Sequence, residues 1–141
     1  MRSVWSGPLV VKGVQRVDDA KDIASAGVDG IAISNHGGRQ LDRAVTPLTL
    51  LPEVADAVAD QVEIFLDGGV RSGADIAAAV ALGAQAVFIG RPYLFALMAG
   101  GQRGVERSLE IFDLDYRRTL QLLGVSGTAE LDPSLVSIAT T

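Results

Sequence analysis

At 141 residues, 48% hydrophobic but only 5% aromatic, the chain is long enough to bury a core and must build it from Ala, Val, Ile and Leu. Its 12 basic and 17 acidic residues give a net charge of −5 with no Lys/Arg run, which argues against a nucleic-acid surface. The lack of cysteine excludes disulfides, thiolate metal sites and cysteine nucleophiles, and fits a cytoplasmic setting.

In chain order, Met1-Arg2-Ser3 leads to Trp5-Ser6-Gly7-Pro8 and not to a signal-peptide core, so an unexported protein is expected. No apolar run approaches the ~18 residues of a membrane span. Leu9-Val10-Val11 reads as a first strand ending in Lys12-Gly13-Val14. Asp18 and Asp19 suit the first turn of a helix, Ala20, Ile23 and Ala24 give it an apolar stripe, and Gly27 is its C-terminal stop. Val28 to Ser34 is a second, buried strand, and it delivers Asn35-His36-Gly37-Gly38-Arg39-Gln40-Leu41-Asp42 into a glycine-bearing loop.

Thr46-Pro47 and Leu51-Pro52 are expected to interrupt the next helical region, leaving Glu53 to Ala59 as its firmest part. Val62 to Leu66 is a third strand, closing on Asp67-Gly68-Gly69-Val70-Arg71. Ser72 with Asp75 has the pattern of a capping box for a helix whose Ile76, Ala79 and Val80 face one way up to Gly83. Ala86 to Ile89 is a fourth strand, followed by Gly90-Arg91-Pro92, with Pro92 opening a helix through Met98 that Gly100-Gly101 ends. A long amphipathic helix, Val105 to Leu123, carries Leu109, Phe112, Tyr116, Leu120 and Leu123 on one stripe. Trp5, Tyr93 and Tyr116 read as packing residues, and the last residues of the 126–141 tail are expected to fray.

A shift of 56 positions matches Gly13-Val14 to Gly69-Val70, Asp19 to Asp75, Gly27 to Gly83 and Ile33 to Ile89. Strands alternating with helices in such a repeat call for a parallel α/β sheet. Four βα units with their chemically promising residues at the strands' C-terminal ends make half of a TIM (β/α)8 barrel, plus a long C-terminal helix. A whole barrel takes ~250 residues, so residues 1–141 are expected to be a single partial domain.

His36 is the chain's sole histidine, and Arg39 follows three residues later. An imidazole that titrates near neutrality beside a planar guanidinium suits deprotonation of a small carboxylic acid. Each residue alone reads more simply as a packed or solvated side chain. Asp67 to Arg71 and Gly90-Arg91 each pass from a strand end into a helix, where glycine backbones and arginines suit an oxyanion, although turn glycines and solvated arginines are the simpler alternative. Lys12 ends its strand among apolar neighbours with no evident structural duty. No metal site is expected.

Ser34-Asn35-His36-Gly37-Gly38-Arg39-Gln40-Leu41-Asp42, Phe65-Leu66-Asp67-Gly68-Gly69-Val70-Arg71 and Phe88-Ile89-Gly90-Arg91-Pro92 together resemble the FMN-dependent α-hydroxy acid dehydrogenase/oxidase family. That family includes glycolate oxidase, L-lactate dehydrogenases and mandelate dehydrogenase. The resemblance runs from about Gly7 to Leu123 and covers the family's C-terminal half. It implies FMN as cofactor and a small L-2-hydroxy acid as substrate. It assigns Lys12 to the flavin N1/O2 edge, Ser34 to a flavin contact, His36 to the base and Arg39 to the substrate carboxylate. Asp67, Gly68, Gly69, Val70, Arg71, Gly90 and Arg91 correspond to the ribityl and phosphate segments. The family's N-terminal half, with a substrate-binding tyrosine and much of the flavin pocket, has no counterpart in this sequence. The lone chain is therefore expected to self-associate or to need completion by an N-terminal half. An inactive fragment and another type of FMN barrel are the competing readings.

Overall fold

The computed structural model describes residues 2–138. Four parallel strands lie in the order β1-β2-β3-β4: β1 Val10–Val14, β2 Gly30–Ser34, β3 Glu63–Asp67 and β4 Ala86–Phe88. Between them run α1 Val17–Ser25, α2 Pro47–Val58 and α3 Gly73–Ala81, and α4 Arg91–Leu123 follows β4. Sequential order with a helix after every strand is the half-barrel connectivity expected from the sequence.

Strand register divides the side chains between two faces. Val11, Ile31, Ile64 and Leu66 share the face covered by helices, while Lys12, Ala32, Phe65 and Ala86 align across the other. On the helix side, Ile31, Ile33, Ile64 and Leu66 meet Leu51, Val54 and Val58 of α2 in the core. On the open side the central strand needs small residues. A Cβ on Gly30 would stand 2.8 Å from the ring of Phe65, which itself lies 5.9 Å from that of Phe88.

The internal repeat is structural. α1 and α3 are both nine residues long and stand 56 positions apart. The matched pairs Gly13/Gly69 and Gly27/Gly83 all take positive φ, between 81° and 108°. Ser72 and Asp75 form the expected capping box, with Asp75 N–H on Ser72 Oγ at 3.1 Å and Ser72 N–H on Asp75 Oδ2 at 2.9 Å.

Several local expectations change. Leu51-Pro52 does not interrupt α2, which is helical from Pro47 to Val58. Pro47 takes the first helical position, where its missing N–H costs nothing. Pro52 costs about 3 kcal/mol inside a helix. Burying Leu50, Leu51, Val54 and Val58, at about 1.5–3 kcal/mol each, outweighs it. β2 starts at Gly30, not Val28; the preceding Asp29 carboxylate accepts from Arg2 at 2.5 Å and from the Leu9 N–H at 2.7 Å. β4 ends at Phe88, one residue earlier than expected.

α4 bends at Gly100 (φ −153°) and Gly101 (φ 58°), where the sequence ends one helix before another begins. Phe112 of the expected stripe is buried, but Leu109 is 55% exposed because no described element reaches it. Trp5, read as a packing residue, is 56% exposed and packs only locally, its ring lying over Gly7 and its Nε1 donating to the Pro8 carbonyl at 3.0 Å; Tyr93 is 41% exposed, and Tyr116 is half-buried with its hydroxyl 2.9 Å from Thr128 Oγ1. The expected fraying concerns residues 139–141, outside those described. No helix among the described residues is long and apolar enough to cross a membrane.

Candidate functional site

All four strands release the chain at the same edge of the sheet, and a cavity of about 690 Å³ opens there. Lys12 from β1, His36 and Arg39 from the loop after β2, Asp67 to Arg71 after β3 and Gly90-Arg91 after β4 all line it. Ser34 does not, being wholly buried beneath the cavity floor.

The histidine loop is built by backbone conformation. His36, Gly37 and Gly38 take φ of 55°, 68° and 75°, three consecutive left-handed residues that only glycine accepts without cost. A non-glycine residue held there points to a local constraint. The His36 N–H donates to Ser34 Oγ at 3.0 Å, and Arg91 Nη2 donates to the Gly37 carbonyl at 3.2 Å. The imidazole lies against β1, so close that a Cβ on Gly13 would stand 2.8 Å from His36 Cε1. Arg39 is exposed on the cavity wall.

Lys12 does have a structural duty, contrary to the reading from sequence. Its Nζ lies 2.7 Å from Asp67 Oδ2 and 3.2 Å from Ser34 Oγ, and the Ser34 hydroxyl donates to Asp67 at 2.5 Å. Burial pulls the Asp67 carboxyl upward, but the bonds from Lys12 and Ser34, with the positive field of Lys12 and His36, together hold it below the ordinary carboxylate value. Asp67 is thus ionised and already paired, and Lys12 still keeps 44% of its side-chain surface exposed.

Gly69 and Gly90 have nothing within 4 Å of where a Cβ would stand, so both leave backbone open beside the cavity. Gly68 is constrained instead, a Cβ there falling 3.0 Å from Asn35 Oδ1. Val70 turns its side chain into the core and meets the cavity from a buried position. The guanidiniums of Arg39 and Arg71 have no carboxylate within salt-bridge distance among the described residues, and Arg91 is bonded only to a carbonyl. Three arginines without acidic partners on one cavity, in a chain of net charge −5, are a donor set for anions.

Phe88, Phe95, Pro92 and Gln40 also line the cavity, and none of them is among the site residues expected from the sequence. Phe95 stands four residues after Arg91, so helical spacing alone puts both on one face of α4. Phe88 faces Asp67 across the β3/β4 pair, a register not legible from sequence.

Fold and site together define a partial TIM barrel with a cationic, glycine-opened rim at the C-terminal ends of its strands. The chain belongs to the FMN-dependent dehydrogenase family, whose model matches residues 1–138. It is 54% identical over 137 residues to a putative L-lactate dehydrogenase of Mycobacterium tuberculosis, covering 97% of this chain and 33% of that protein. It is 49% identical over 140 residues to a pre-mycofactocin synthase of the same species, covering 99% of this chain and 35% of that protein. Among solved structures, a mandelate oxidase variant with (S)-mandelic acid superposes with a TM-score of 0.89 at 43% identity, over 94% of this chain and 39% of that one. The chain spans about a third of the length of the curated relatives it matches. The donor set and the open Gly69 and Gly90 backbones fit the anionic tail of FMN, the cofactor of this family.

Proposed function

We propose that this chain forms the C-terminal half-barrel of an FMN-dependent enzyme that oxidises a small L-2-hydroxy acid, lactate- or glycolate-like, to the 2-oxo acid. The observation that carries this reading is the gathering of His36 and Arg39 with Lys12, Arg71 and Arg91 around one cavity. Lactate and mandelate, in the names of the relatives above, are both 2-hydroxy acids. Family membership extends to a relative with a different name, so the substrate class rests on the His36/Arg39 pair.

Arg39 clamps the substrate carboxylate through its guanidinium fork, which orients the α-carbon towards His36. An imidazole nitrogen of His36 takes a proton as the substrate loses two electrons and two protons overall. Bound FMN supplies the two-electron acceptor. Lys12, held at one side by Asp67, offers its exposed ammonium to negative charge that develops on reduction. Arg71, Arg91 and the Gly68-Gly69 and Gly90 backbones hold the cofactor's ribityl and phosphate groups.

The test is spectroscopic. The purified chain, given FMN, should show a bound flavin spectrum that bleaches anaerobically with L-lactate or glycolate. Flavin that binds but is reduced by no 2-hydroxy acid would overturn the activity for this polypeptide. His36→Ala should abolish bleaching and spare FMN binding; equal loss of both would remove the base role.

A second reading is favoured by the open sheet face and edges. Val10 on β1 and Phe88 on β4, the outer strands of the described sheet, are 45% and 46% exposed. On this reading the half-barrel is completed by a second chain, either another copy or an N-terminal half, before it acts.

A further inference from the structure

Asn35 is the chain's sole asparagine, and it closes the base of the loop that carries Arg39. Its Nδ2 donates to the Val45 carbonyl at 3.2 Å, ten residues along the chain, and its own backbone carbonyl accepts from the Gly38 N–H at 3.0 Å. Val45 packs against the core from a partly buried position, and Pro47, which opens α2, is buried. Between these anchors little else holds the loop. Gln40, Leu41, Asp42 and Arg43 are exposed, and no hydrogen bond or ion pair among the described residues engages any residue from Gln40 to Ala44.

The other end of the amide is an orphan. Asn35 Oδ1 is sealed from solvent and has no hydrogen-bond partner among the described residues, a costly state for a buried acceptor. Gly68, at φ 113°, stands against it: a Cβ there would fall 3.0 Å from Oδ1 and 3.3 Å from Pro47 Cγ. Turning the amide round would give no relief, because Oδ1 would then face the Val45 carbonyl, which needs a donor.

We propose that Asn35 is a positioning residue for Arg39: wedged against the Gly68 turn, it ties the two ends of the Arg39 loop together and so sets where the guanidinium stands on the cavity wall. Its bearing on the reaction rests on the reading of Arg39 as the carboxylate clamp. Cutting the bond to Val45 frees the loop as one piece, while β2 keeps its own ladder to β3. His36 is tied separately, by its N–H on Ser34 Oγ and its ring against Gly13. The loss therefore falls on holding the substrate and not on taking its proton.

The test uses the full chain labelled with ¹⁵N at asparagine, whose one side-chain amide gives a single pair of proton signals. In the unaltered chain without FMN, the slower of these protons should exchange at least about tenfold more slowly than in free asparagine, the protection expected of one hydrogen bond. Backbone order parameters of Arg39 to Ala44, read on uniformly labelled protein, should stay above about 0.6, the level below which a segment is flexible. Asn35→Asp keeps the size of the side chain and removes its donor. In that variant the same order parameters should fall below about 0.6 while the Ile31 and Ile33 amides stay protected. The dissociation constant for L-lactate in anaerobic flavin reduction should rise roughly tenfold, with the limiting rate and FMN affinity each within about twofold. A side-chain amide that exchanges as fast as free asparagine, or a loop already flexible in the unaltered chain, would overturn the proposal without any variant having to fold. So would an Asn35→Asp protein whose loop stays ordered, whose Ile31 and Ile33 amides lose protection, or whose loss falls on the limiting rate or on FMN affinity. If the unaltered chain binds no FMN, the flavin reading fails for this polypeptide, and the amide exchange and order parameters still decide the role of Asn35.

Discussion

His36 packs its ring on the backbone of Gly13, and that contact makes a residue outside the histidine loop matter to it. In Gly13→Ala the new methyl would stand 2.8 Å from His36 Cε1, on a residue whose φ of 99° already disfavours a side chain. The imidazole must move, and a displacement of about 1 Å is enough to cost roughly a hundredfold in rate. Anaerobic flavin reduction should therefore slow by that order in Gly13→Ala while FMN affinity changes little, stopped-flow absorbance giving the first and fluorescence titration the second. Asp67 makes a prediction in pH. Its folded value lies below the ordinary 3.8, so its contribution to stability is fully present above that value and is lost as pH falls through the depressed one. Thermal melts between pH 5 and pH 2 should show a shallower acid loss in Asp67→Asn than in the unaltered protein; parallel curves would refute this.

At the level of elements, α3 joins the strand-end rim to the outer helices. Its capping box satisfies the first backbone donors, the Gly73 N–H binds Asp115 Oδ2 at 2.6 Å, and α4 crosses so close that a Cβ on Gly73 would lie 2.0 Å from the Tyr116 nitrogen. Ser72→Ala should cost about 1 kcal/mol, the usual loss of a cap. Gly73→Ala should cost more, up to about 3 kcal/mol, because it forces two backbones apart. Urea denaturation of both variants checks the order, and a Gly73→Ala no less stable than Ser72→Ala would contradict the close crossing. Gly104 has the same function at the bend of α4, where a Cβ would lie 2.1 Å from the Ala96 carbonyl oxygen.

Taken as a whole, the molecule is a sheet covered by helices on one face. The other face presents Phe65 and Phe88 with Val10, and the outer strands β1 and β4 are each paired on one side only among the described residues. Those edges are templates for pairing. Sedimentation of the purified chain should show association that deepens with concentration, and a stable compact monomer across the micromolar range would sink the prediction. Adding a separately expressed N-terminal half should compete with this self-association if completion of the barrel is what the surface requires.

Much of this protein is set by local chemistry and is legible in order along the chain. Apolar runs gave the four strands, Ser72 and Asp75 gave the capping box, Gly27 and Gly83 gave the helix stops, and the 56-position echo announced a repeated unit that the two nine-residue helices reproduce. Gathering His36, Arg39, Arg71 and Arg91 at one sheet edge also followed from sequence, because parallel strands all release their chain on the same side. Tertiary structure decided what depends on groups far apart in the chain. Pro52 stays helical because the core rewards burial of its neighbours, and Lys12 gains a carboxylate partner 55 positions away. Ser34 spends its hydroxyl on three groups that only strand register brings together, since which side chains meet across a sheet is fixed by pairing and not by local pattern.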